Sequence, residues 1–195
     1  EDDYLVAVDG GYQHMQALGV IPRLLIGDLD SIETPELQTL REAGVEIEIF
    51  PPAKDKTDLE LALEHVAAQG FDQIRVVAAL GGRLDQTLAN LYLLELPALK
   101  DLDVRLDDGL EEIFIIRSQA EIHGAPGDTV SLLAMDGCAR GILTENLRYP
   151  LREETLCQNR TRGISNEMLE KTASVRVRSG RLLCIHTRRD LPVSH

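Results

Sequence analysis

The sequence predicts an α/β domain with a mainly parallel sheet and helices on both faces, followed by an all-β sandwich. Up to residue 106, apolar runs alternate with helical segments, which is typical of parallel strands joined by crossover helices. After residue 109, short strand-like runs are separated by turn residues and almost no helical period remains. We therefore predict an α/β domain over residues 1–108 and a β-sandwich over residues 109–195.

Five strands and four helices are predicted in the first half. The run at 73–80 is the most strongly apolar, so we expect it to be the central strand. Thr34 and Pro35 are a good helix start, because Thr caps a helix and Pro suits the first helical position. The predicted strands cover 5–8, 24–26, 45–50, 73–80 and 102–106, and the helices cover 12–18, 35–43, a segment from about 57, and 88–94.

Composition and charge narrow the classes of function. The chain has 195 residues and a net charge of −13, most of it in the first hundred residues. This argues against nucleic acid as a partner and is compatible with metal-bridged binding of a small phosphate compound. No apolar run approaches the length of a membrane span, and the three scattered cysteines fit a reduced, cytoplasmic protein. Because the chain starts without Met and almost at once enters a strand, we expect that an upstream segment was removed.

Asp28 and Asp30 follow the second predicted strand. If the chain is extended there, the two side chains point the same way, since side chains in a strand repeat every two residues. Gly27 would allow a tight turn or the close approach of a ligand. Two adjacent carboxylates suit a divalent cation such as Mg²⁺, although a polar turn that merely closes the strand is the alternative.

Further aspartates end other predicted strands, where ligands bind in folds of this class. For Asp55 and Asp58, capping of the next helix is an alternative. Gly10 and Gly11 open a helix whose backbone N–H groups would face an anion. Lys54 could reach phosphates, and Arg83 is placed to bind one in a fork geometry. The shared position favours a binding site formed by Asp9, Asp28, Asp30, Asp55, Asp58 and Asp85.

In the second half, the segments 146–151 and 163–167 differ from ordinary strands and turns. Tyr149 offers an aromatic wall, and Ser165 and Asn166 offer hydrogen-bonding groups, which together suit a flat ring. Tyr149 as plain core of the sandwich is an equally open interpretation. The strand-like runs around these segments are 111–116, 120–123, 129–135, 142–144, 174–177 and 182–187.

Five short motifs follow one another along the chain: Asp9-Gly10-Gly11, Gly27-Asp28-Leu29-Asp30-Ser31, Lys54-Asp55-Lys56-Thr57-Asp58, Gly81-Gly82-Arg83-Leu84-Asp85 and Gly163-Ile164-Ser165-Asn166-Glu167. In this order they resemble the motifs of the thiamine pyrophosphokinase family, and the resemblance covers nearly the whole chain. The resemblance implies an α/β domain that binds ATP and Mg²⁺, and a sandwich that binds thiamine and forms a homodimer. Thiamine would lie between the α/β domain of one subunit and the sandwich of the other.

The same resemblance implies roles for individual residues. Asp28, Asp30 and Asp58 would hold the metal, and with Asp85 they would be catalytic. Tyr149, Ser165 and Asn166 would bind thiamine. The residues expected to bind the nucleotide and its metal are Asp9, Gly10, Gly11, Lys54, Arg83 and Gln86. In the reaction, the primary alcohol of thiamine attacks the β-phosphorus of ATP and AMP leaves, a transfer that depends mainly on positioning and charge neutralisation.

Three other interpretations stay open on the residues alone. A related pyrophosphokinase acting on a pterin alcohol would use the same carboxylates with a different pocket. A metal-dependent phosphohydrolase would release phosphate without an alcohol acceptor. A non-catalytic module would bind magnesium and nucleotide and turn nothing over. The alcohol that supports AMP formation separates these interpretations.

Overall fold

The computed structural model describes residues 3–30, 32, 34–51 and 53–189. The chain divides into two compact units, Glu1–Phe71 and Asp72–His195, called here the first and the second unit. An α/β region with a parallel sheet and a β-rich C-terminal part are therefore confirmed. The predicted boundary between functional domains at residues 108 and 109 stays a prediction.

The first unit alternates strands and helices in the predicted order. Its three strands form one parallel sheet in the order β1-β2-β3, with β2 in the middle and fully buried. Parallel pairing requires a crossover after each strand, which the helices supply. The elements are β1 (Val6–Val8), α1 (Gly11–Ala17), β2 (Leu24–Gly27), α2 (Thr34–Glu42), β3 (Glu46–Ile49) and α3 (Asp58–Ala68).

The second unit contains one helix, α4, among the described residues, a short 3₁₀ turn at Pro97–Leu99, and ten strands. Its six-stranded sheet has the order β11-β8-β13-β6-β5-β4, and its four-stranded sheet has the order β10-β9-β12-β7. The elements are β4 (Gln73–Val77), α4 (Leu84–Leu93), β5 (Asp103–Asp107), β6 (Glu111–Ile116), β7 (Gln119–His123), β8 (Thr129–Ala134), β9 (Cys138–Glu145), β10 (Arg152–Cys157), β11 (Asn166–Glu167), β12 (Thr172–Arg176) and β13 (Leu182–Thr187).

Both sheets of the second unit contribute side chains to one apolar core. Phe114 on β6 and Leu132 on β8 come from the larger sheet, and Ile142 on β9 and Val175 on β12 come from the smaller one. Along β8, buried and half-buried residues alternate, as the two-residue period of a strand requires. A shift of one residue in pairing would turn this set outward, so the core fixes the register of the strands.

One expectation about the strands is wrong, and one six-residue strand was missed. The run at 73–80 is not a central strand: β4 ends at Val77 and, among the described strands, pairs only with β5 at the edge of its sheet. The apolar residues after Val77 lie outside the strand, because Ala78 has a left-handed φ of 58° that ends the extended chain. Strand β10 was not predicted, since its sequence, REETLC, carries little apolar signal.

A buried cluster of charged side chains lies on β6, on β13 and directly before β8 in the larger sheet. His186 is fully buried, and its Nε2 lies 3.0 Å from Oδ2 of Asp128. Its Nδ1 lies 3.7 Å from Oε2 of Glu112, and Glu112 also pairs with Arg105 at 3.2 Å. The sequence suggested only a strand position for His186, because the cluster forms through pairing of strands far apart in the chain.

Cys138 and Cys157 form a disulfide, so the expectation of three reduced cysteines is wrong for these two. The antiparallel register of β9 and β10 places Cys157 directly opposite Cys138, although 19 positions separate them. Cys184 is a free, buried thiol. Within the described ranges, no helix has both the length and the apolar character needed to cross a membrane.

Candidate functional site

In the first unit, the carboxyl ends of β1, β2 and β3 lie at one edge of the sheet, because the three strands are parallel. Asp9 follows β1 and donates its backbone N–H to the carbonyl oxygen of Ile26 at 2.8 Å. A Cβ at Gly27 would lie 3.2 Å from the Cα of Asp9, so glycine is needed where the strands approach. The sheet thus brings Asp9 beside the loop that carries Asp28.

Asp28 and Asp30 lie in a turn, which contradicts the expectation of an extended chain. Strand β2 ends at Gly27, and Leu29 has a φ of 55° and is buried to 4% exposure. Burying Leu29 turns the chain, and the backbone N–H of Asp30 then donates to Oδ1 of Asp28 at 3.2 Å. Asp28 is half-buried and Asp30 is exposed, so both keep carboxylate oxygens for a ligand. Ser31 of this motif lies outside the described residues.

Asp58 is the first residue of α3, which packs against β1 and β2. The helix cap is Thr57, whose hydroxyl accepts the N–H of Glu60 at 3.2 Å, so Asp58 is not needed for capping. Oδ1 of Asp58 is buried, faces the ammonium of Lys54 at 2.9 Å, and accepts no hydrogen bond of ordinary geometry within the described residues. Asp55 is exposed. Asp58 therefore holds a buried acceptor oxygen that a ligand could use.

The carboxylates of Asp28, Asp30 and Asp58 supply the hard oxygen donors that Mg²⁺ prefers. The buried Oδ1 of Asp58 accepts no hydrogen bond from the described residues. Among the described residues, however, no three acidic, His or Cys side chains are close enough to enclose a metal ion. The residues fit an ion held by one or two carboxylates, with phosphate oxygens and water as its other ligands. The assignment of Asp28, Asp30 and Asp58 as metal ligands stays a prediction.

The predicted anion-binding turn opens α1. The N–H groups of Tyr12 and Gln13 already donate to the carbonyl oxygens of Asp9 and Gly10, both at 3.1 Å. Within the part of the chain that the structure describes, this leaves the N–H groups of Gly10 and Gly11 as the donors available at the helix start. Gly10 is exposed and Gly11 is half-buried.

In the second unit, Arg83, Asp85 and Gln86 lie at the exposed start of α4. The guanidinium of Arg83 forks onto Asp85, with Nε to Oδ1 at 3.2 Å and Nη2 to Oδ2 at 2.6 Å, and the predicted fork onto a phosphate stays a prediction. The hydrogen bond from Arg83 holds the pKa of Asp85 below its ordinary value. Both side chains are about 70% exposed, so a phosphate could take the place of the carboxylate on Arg83.

The second unit also contains a pocket of about 370 Å³. Most of its lining is apolar, with few polar groups, as is usual for sites that bind small organic molecules. Tyr149 lines it and is 65% exposed, so the interpretation of Tyr149 as plain core is wrong. The lining residues are Leu132, Tyr149, Pro150, Leu151, Arg162, Gly163, Ile164 and Asn166.

The two unusual segments of the second half are tied together at this pocket. The side chain of Asn166 donates to the carbonyl oxygen of Tyr149 at 2.8 Å and accepts the N–H of Tyr149 at 3.0 Å. The N–H of Arg148 donates to the carbonyl oxygen of Glu167 at 2.9 Å. Asn166 thus holds the backbone that presents Tyr149, a positioning role that the sequence did not suggest.

Ser165 follows the lining residue Ile164 without lining the pocket itself. Its φ is 57°, and its N–H donates to the hydroxyl of Ser131 at 3.0 Å. Two charged residues were missed: Arg162, which lines the pocket, and its ion-pair partner Glu154 on β10. Arg162 directly precedes Gly163, so its place beside a motif could have identified it from the sequence. Glu154 has no such signal, because only the fold brings it to Arg162.

Two family models and a curated relative match this chain, and all three belong to the family that the motifs resemble. Residues 1–120 match the model "Thiamin pyrophosphokinase, catalytic domain", and residues 114–182 match "Thiamin pyrophosphokinase, vitamin B1 binding domain". The chain is 26% identical over 184 residues to a Bacillus subtilis thiamine pyrophosphokinase, covering 93% of this chain and 86% of the relative.

Solved structures of similar proteins have the same fold. The crystal structure of the Bacillus subtilis thiamine pyrophosphokinase matches with a TM-score of 0.85 at 27% identity, over 98% of this chain and 91% of that one. The thiamin pyrophosphokinase from Candida albicans matches with a TM-score of 0.75 over 93% of this chain and 80% of that one. At 18% identity, the second likeness supports the fold alone.

Proposed function

This chain belongs to the thiamin pyrophosphokinase family, and we propose that it transfers a diphosphate group from ATP to the hydroxyl of thiamine. The oxygen of the primary alcohol forms a bond to the β-phosphorus, the bond from that phosphorus to the α-phosphate oxygen breaks, and AMP leaves. The alcohol proton passes to a base. The products are thiamine diphosphate and AMP.

The observation that carries this proposal is the match of both parts of one chain, in order, to a catalytic model and a vitamin B1 binding model of one family. The site agrees with it. The first unit has carboxylates with free oxygens at one sheet edge, and the second has an apolar pocket with an aromatic wall. A pterin alcohol as acceptor, simple phosphate hydrolysis, or binding without turnover is not favoured by this match.

In the proposed site, Asp28, Asp30 and Asp58 hold Mg²⁺, which when bound would neutralise the charge of the polyphosphate. Lys54 places its ammonium beside Asp58, where it also adds positive charge for a phosphate. Arg83 exchanges its carboxylate partner for phosphate oxygens, which leaves Asp85 free to act on the substrates. Asp9, Gly10, Gly11 and Gln86 complete the set of residues proposed for nucleotide binding.

For thiamine, we propose that Tyr149 provides the ring wall in the pocket of the second unit. Asn166 acts by holding the backbone of Tyr149, and Ser165 supplies a hydroxyl at the rim. We further propose that the two sheets of this unit form a face-to-face sandwich. Residues 1–108 would then be the catalytic domain and residues 109–195 the thiamine-binding and dimerisation domain.

A homodimer is proposed, in which the carboxylates of one subunit and the pocket of the other act on the same substrates. Because the reaction consumes ATP, we also propose a cytoplasmic location.

The direct test is an assay with thiamine and Mg-ATP that follows AMP and thiamine diphosphate together. Equal amounts of both products are expected. ADP or phosphate in place of AMP indicates a different phosphate chemistry, and AMP only with a pterin alcohol indicates a different acceptor. Binding of ATP with no product contradicts the proposed activity.

The shared site is tested by mixing two inactive variants, Asp30→Asn and Tyr149→Arg. Tyr149 is exposed, so the second variant is expected to fold while repelling a cationic ring. After random exchange of subunits, half of the dimers are mixed and each has one intact site, so about a quarter of wild-type activity returns. If both variants dimerise and exchange but the mixture stays inactive, the shared site is refuted.

A further inference from the structure

Arg162 is the only charged side chain among the described residues that line the pocket of the second unit. A guanidinium stays protonated at any pH that a protein tolerates, so it brings a permanent positive charge to the pocket. The thiazolium ring of thiamine is also a cation. An uncompensated Arg162 would therefore repel the substrate that the pocket is proposed to bind.

Glu154 on β10 compensates this charge. Its Oε2 contacts Nη2 of Arg162, and its side chain is only 29% exposed against 64% for Arg162. Partial burial of the carboxylate reduces screening by water and salt, so the negative charge acts at short range on Arg162. Arg148, beside the pocket, is likewise paired, with Glu167 at 2.9 Å.

The backbone of β10 is shaped to make this contact. The pairing of β10 with β9 shifts register on both sides of Glu154, and Glu153 has a left-handed φ of 59°. Such irregularities in a strand re-aim side chains. The two adjacent glutamates consequently pair with different arginines, Glu153 with Arg178 at 3.2 Å and Glu154 with Arg162.

The segment that carries Arg162 is held against the same strand. A Cβ at Gly163 would lie 2.6 Å from the carbonyl oxygen of Leu132 and 2.8 Å from Cδ1 of Leu156, which lies two residues after Glu154. This close packing requires glycine at position 163. It fixes the position of Arg162 relative to Glu154.

We propose that Glu154 sets the charge preference of this pocket: by holding and neutralising Arg162, it allows a cationic ring to bind. Glu154 is thus a specificity-determining residue that acts through Arg162 and does not itself touch the substrate. This inference rests on the proposed function, because it takes the cationic alcohol as the substrate of this pocket.

The test compares two ligands, thiamine and a neutral analogue in which carbon replaces the quaternary ring nitrogen. Binding is measured by calorimetry for the wild type, Glu154→Gln, Arg162→Gln and the double variant. Glu153→Gln is the matched control, since it removes the same charge from the adjacent residue and breaks an ion pair outside the pocket lining. Glu154→Asp keeps the charge and should preserve most of the affinity.

Glu154→Gln should raise the Kd for thiamine roughly three- to tenfold at low salt, and less at high salt, while changing that for the neutral analogue less than about twofold. Glu153→Gln should change neither Kd. The double variant removes both charges, so its Kd for thiamine should return to near the wild-type value.

Equal weakening of both ligands by Glu154→Gln, or no effect on either, overturns the inference even when the wild type turns thiamine over. The same conclusion follows if the double variant binds thiamine as weakly as Glu154→Gln alone. If the wild type neither binds thiamine nor forms AMP from it, the proposed function fails and the inference fails with it. The wild-type assay therefore separates the two failures.

Discussion

Two groups of carboxylates in this protein are held in opposite ways. Asp28 and Asp30 lie in a loop of the first unit, and the one described hydrogen bond to either carboxylate comes from the backbone N–H of Asp30. Glu112 and Asp128 in the second unit are buried to 8% and 3% exposure, and both face His186. A carboxylate satisfied by the protein stabilises the fold, whereas one with free oxygens is available to a ligand.

The buried group is almost fully paired. Oδ1 of Asp128 accepts the N–H of Arg189 and Oδ2 accepts the N–H of Ala125, both at 2.9 Å. Burial alone raises the pKa of Asp128, but these hydrogen bonds and His186 outweigh it and hold the pKa below its ordinary value. The comparison therefore predicts that substitutions in the loop reduce activity, and that substitutions in the buried cluster reduce stability.

The largest expected effect is on catalysis. Asp30→Asn should lower kcat/KM for ATP and thiamine by roughly a hundred- to a thousandfold, because the variant loses a charge proposed to hold the metal. The urea midpoint should stay near that of the wild type, since Asp30 is exposed. Asp28→Asn is expected to behave in the same way.

Asp101→Asn is the control, because Asp101 is an exposed aspartate whose side chain is 82% accessible and pairs weakly with Lys100 at 3.7 Å. It should change neither activity nor stability. A folded Asp30→Asn variant with near wild-type turnover would show that this loop does not hold the metal.

A substitution in the buried cluster should instead reduce stability and leave activity nearly unchanged. Asp128→Ala leaves His186 and two backbone N–H groups without their acceptor, so the free energy of unfolding should fall by about 3 kcal/mol or more. Activity per folded molecule should stay within about twofold of the wild type. Urea unfolding, together with an assay corrected for the folded fraction, measures both quantities.

An exposed ion pair provides the reference for this loss of unfolding free energy. Asp136 has a side chain that is 76% exposed and pairs with Arg181 at 3.3 Å. Asp136→Ala should cost no more than about 1 kcal/mol, as is usual for exposed ion pairs. Equal losses for the two alanine variants would remove the distinction between buried and exposed carboxylates.

The buried cluster should also make stability depend on pH. Burial alone lowers the pKa of His186, but the carboxylates of Glu112 and Asp128 outweigh it and raise the pKa, against an opposing effect of Arg188. Protonated His186 therefore stabilises the fold fully below the unfolded pKa of about 6.5, and this contribution is lost as pH rises through the folded pKa. Arg105, which pairs with Glu112, stays charged over this pH range.

We expect the free energy of unfolding of the wild type to fall as pH rises above the unfolded pKa of about 6.5, and to change less in His186→Gln. Urea denaturation at several pH values measures this difference. Parallel curves for the two proteins would mean that His186 keeps one protonation state in folded and unfolded chains.

The alternating elements of the first unit could be predicted from the sequence because each signal is local. Apolar runs mark β1 and β2, alternating apolar and acidic residues mark β3, and α3 begins at Asp58, close to its predicted start near residue 57. The loop after β2 was predicted less well, because its turn depends on burying Leu29 in the core. Periodicity in the sequence does not contain that tertiary contact.

In the second unit, the features that were missed depend on strand register. The disulfide, the irregularity at Glu154 and the cluster around His186 all arise where residues far apart in sequence are paired across strands. The segments around Tyr149 and Asn166 were singled out because they fit neither strand nor turn patterns. The structure brings these two segments together at one pocket.

The smallest expected effect concerns Arg83. Its partner Asp85 is paired, like the carboxylates of the buried cluster, but it is exposed, like Asp30. The pair adds little to stability because both side chains are about 70% exposed. Arg83→Lys keeps the charge and loses the fork, so KM for ATP should rise roughly two- to fivefold with kcat nearly unchanged. Arg75→Lys is the control, since Arg75 forks onto Asp103 within β4 and β5. If both lysine variants keep the wild-type KM for ATP, Arg83 is a surface ion pair and does not bind phosphate.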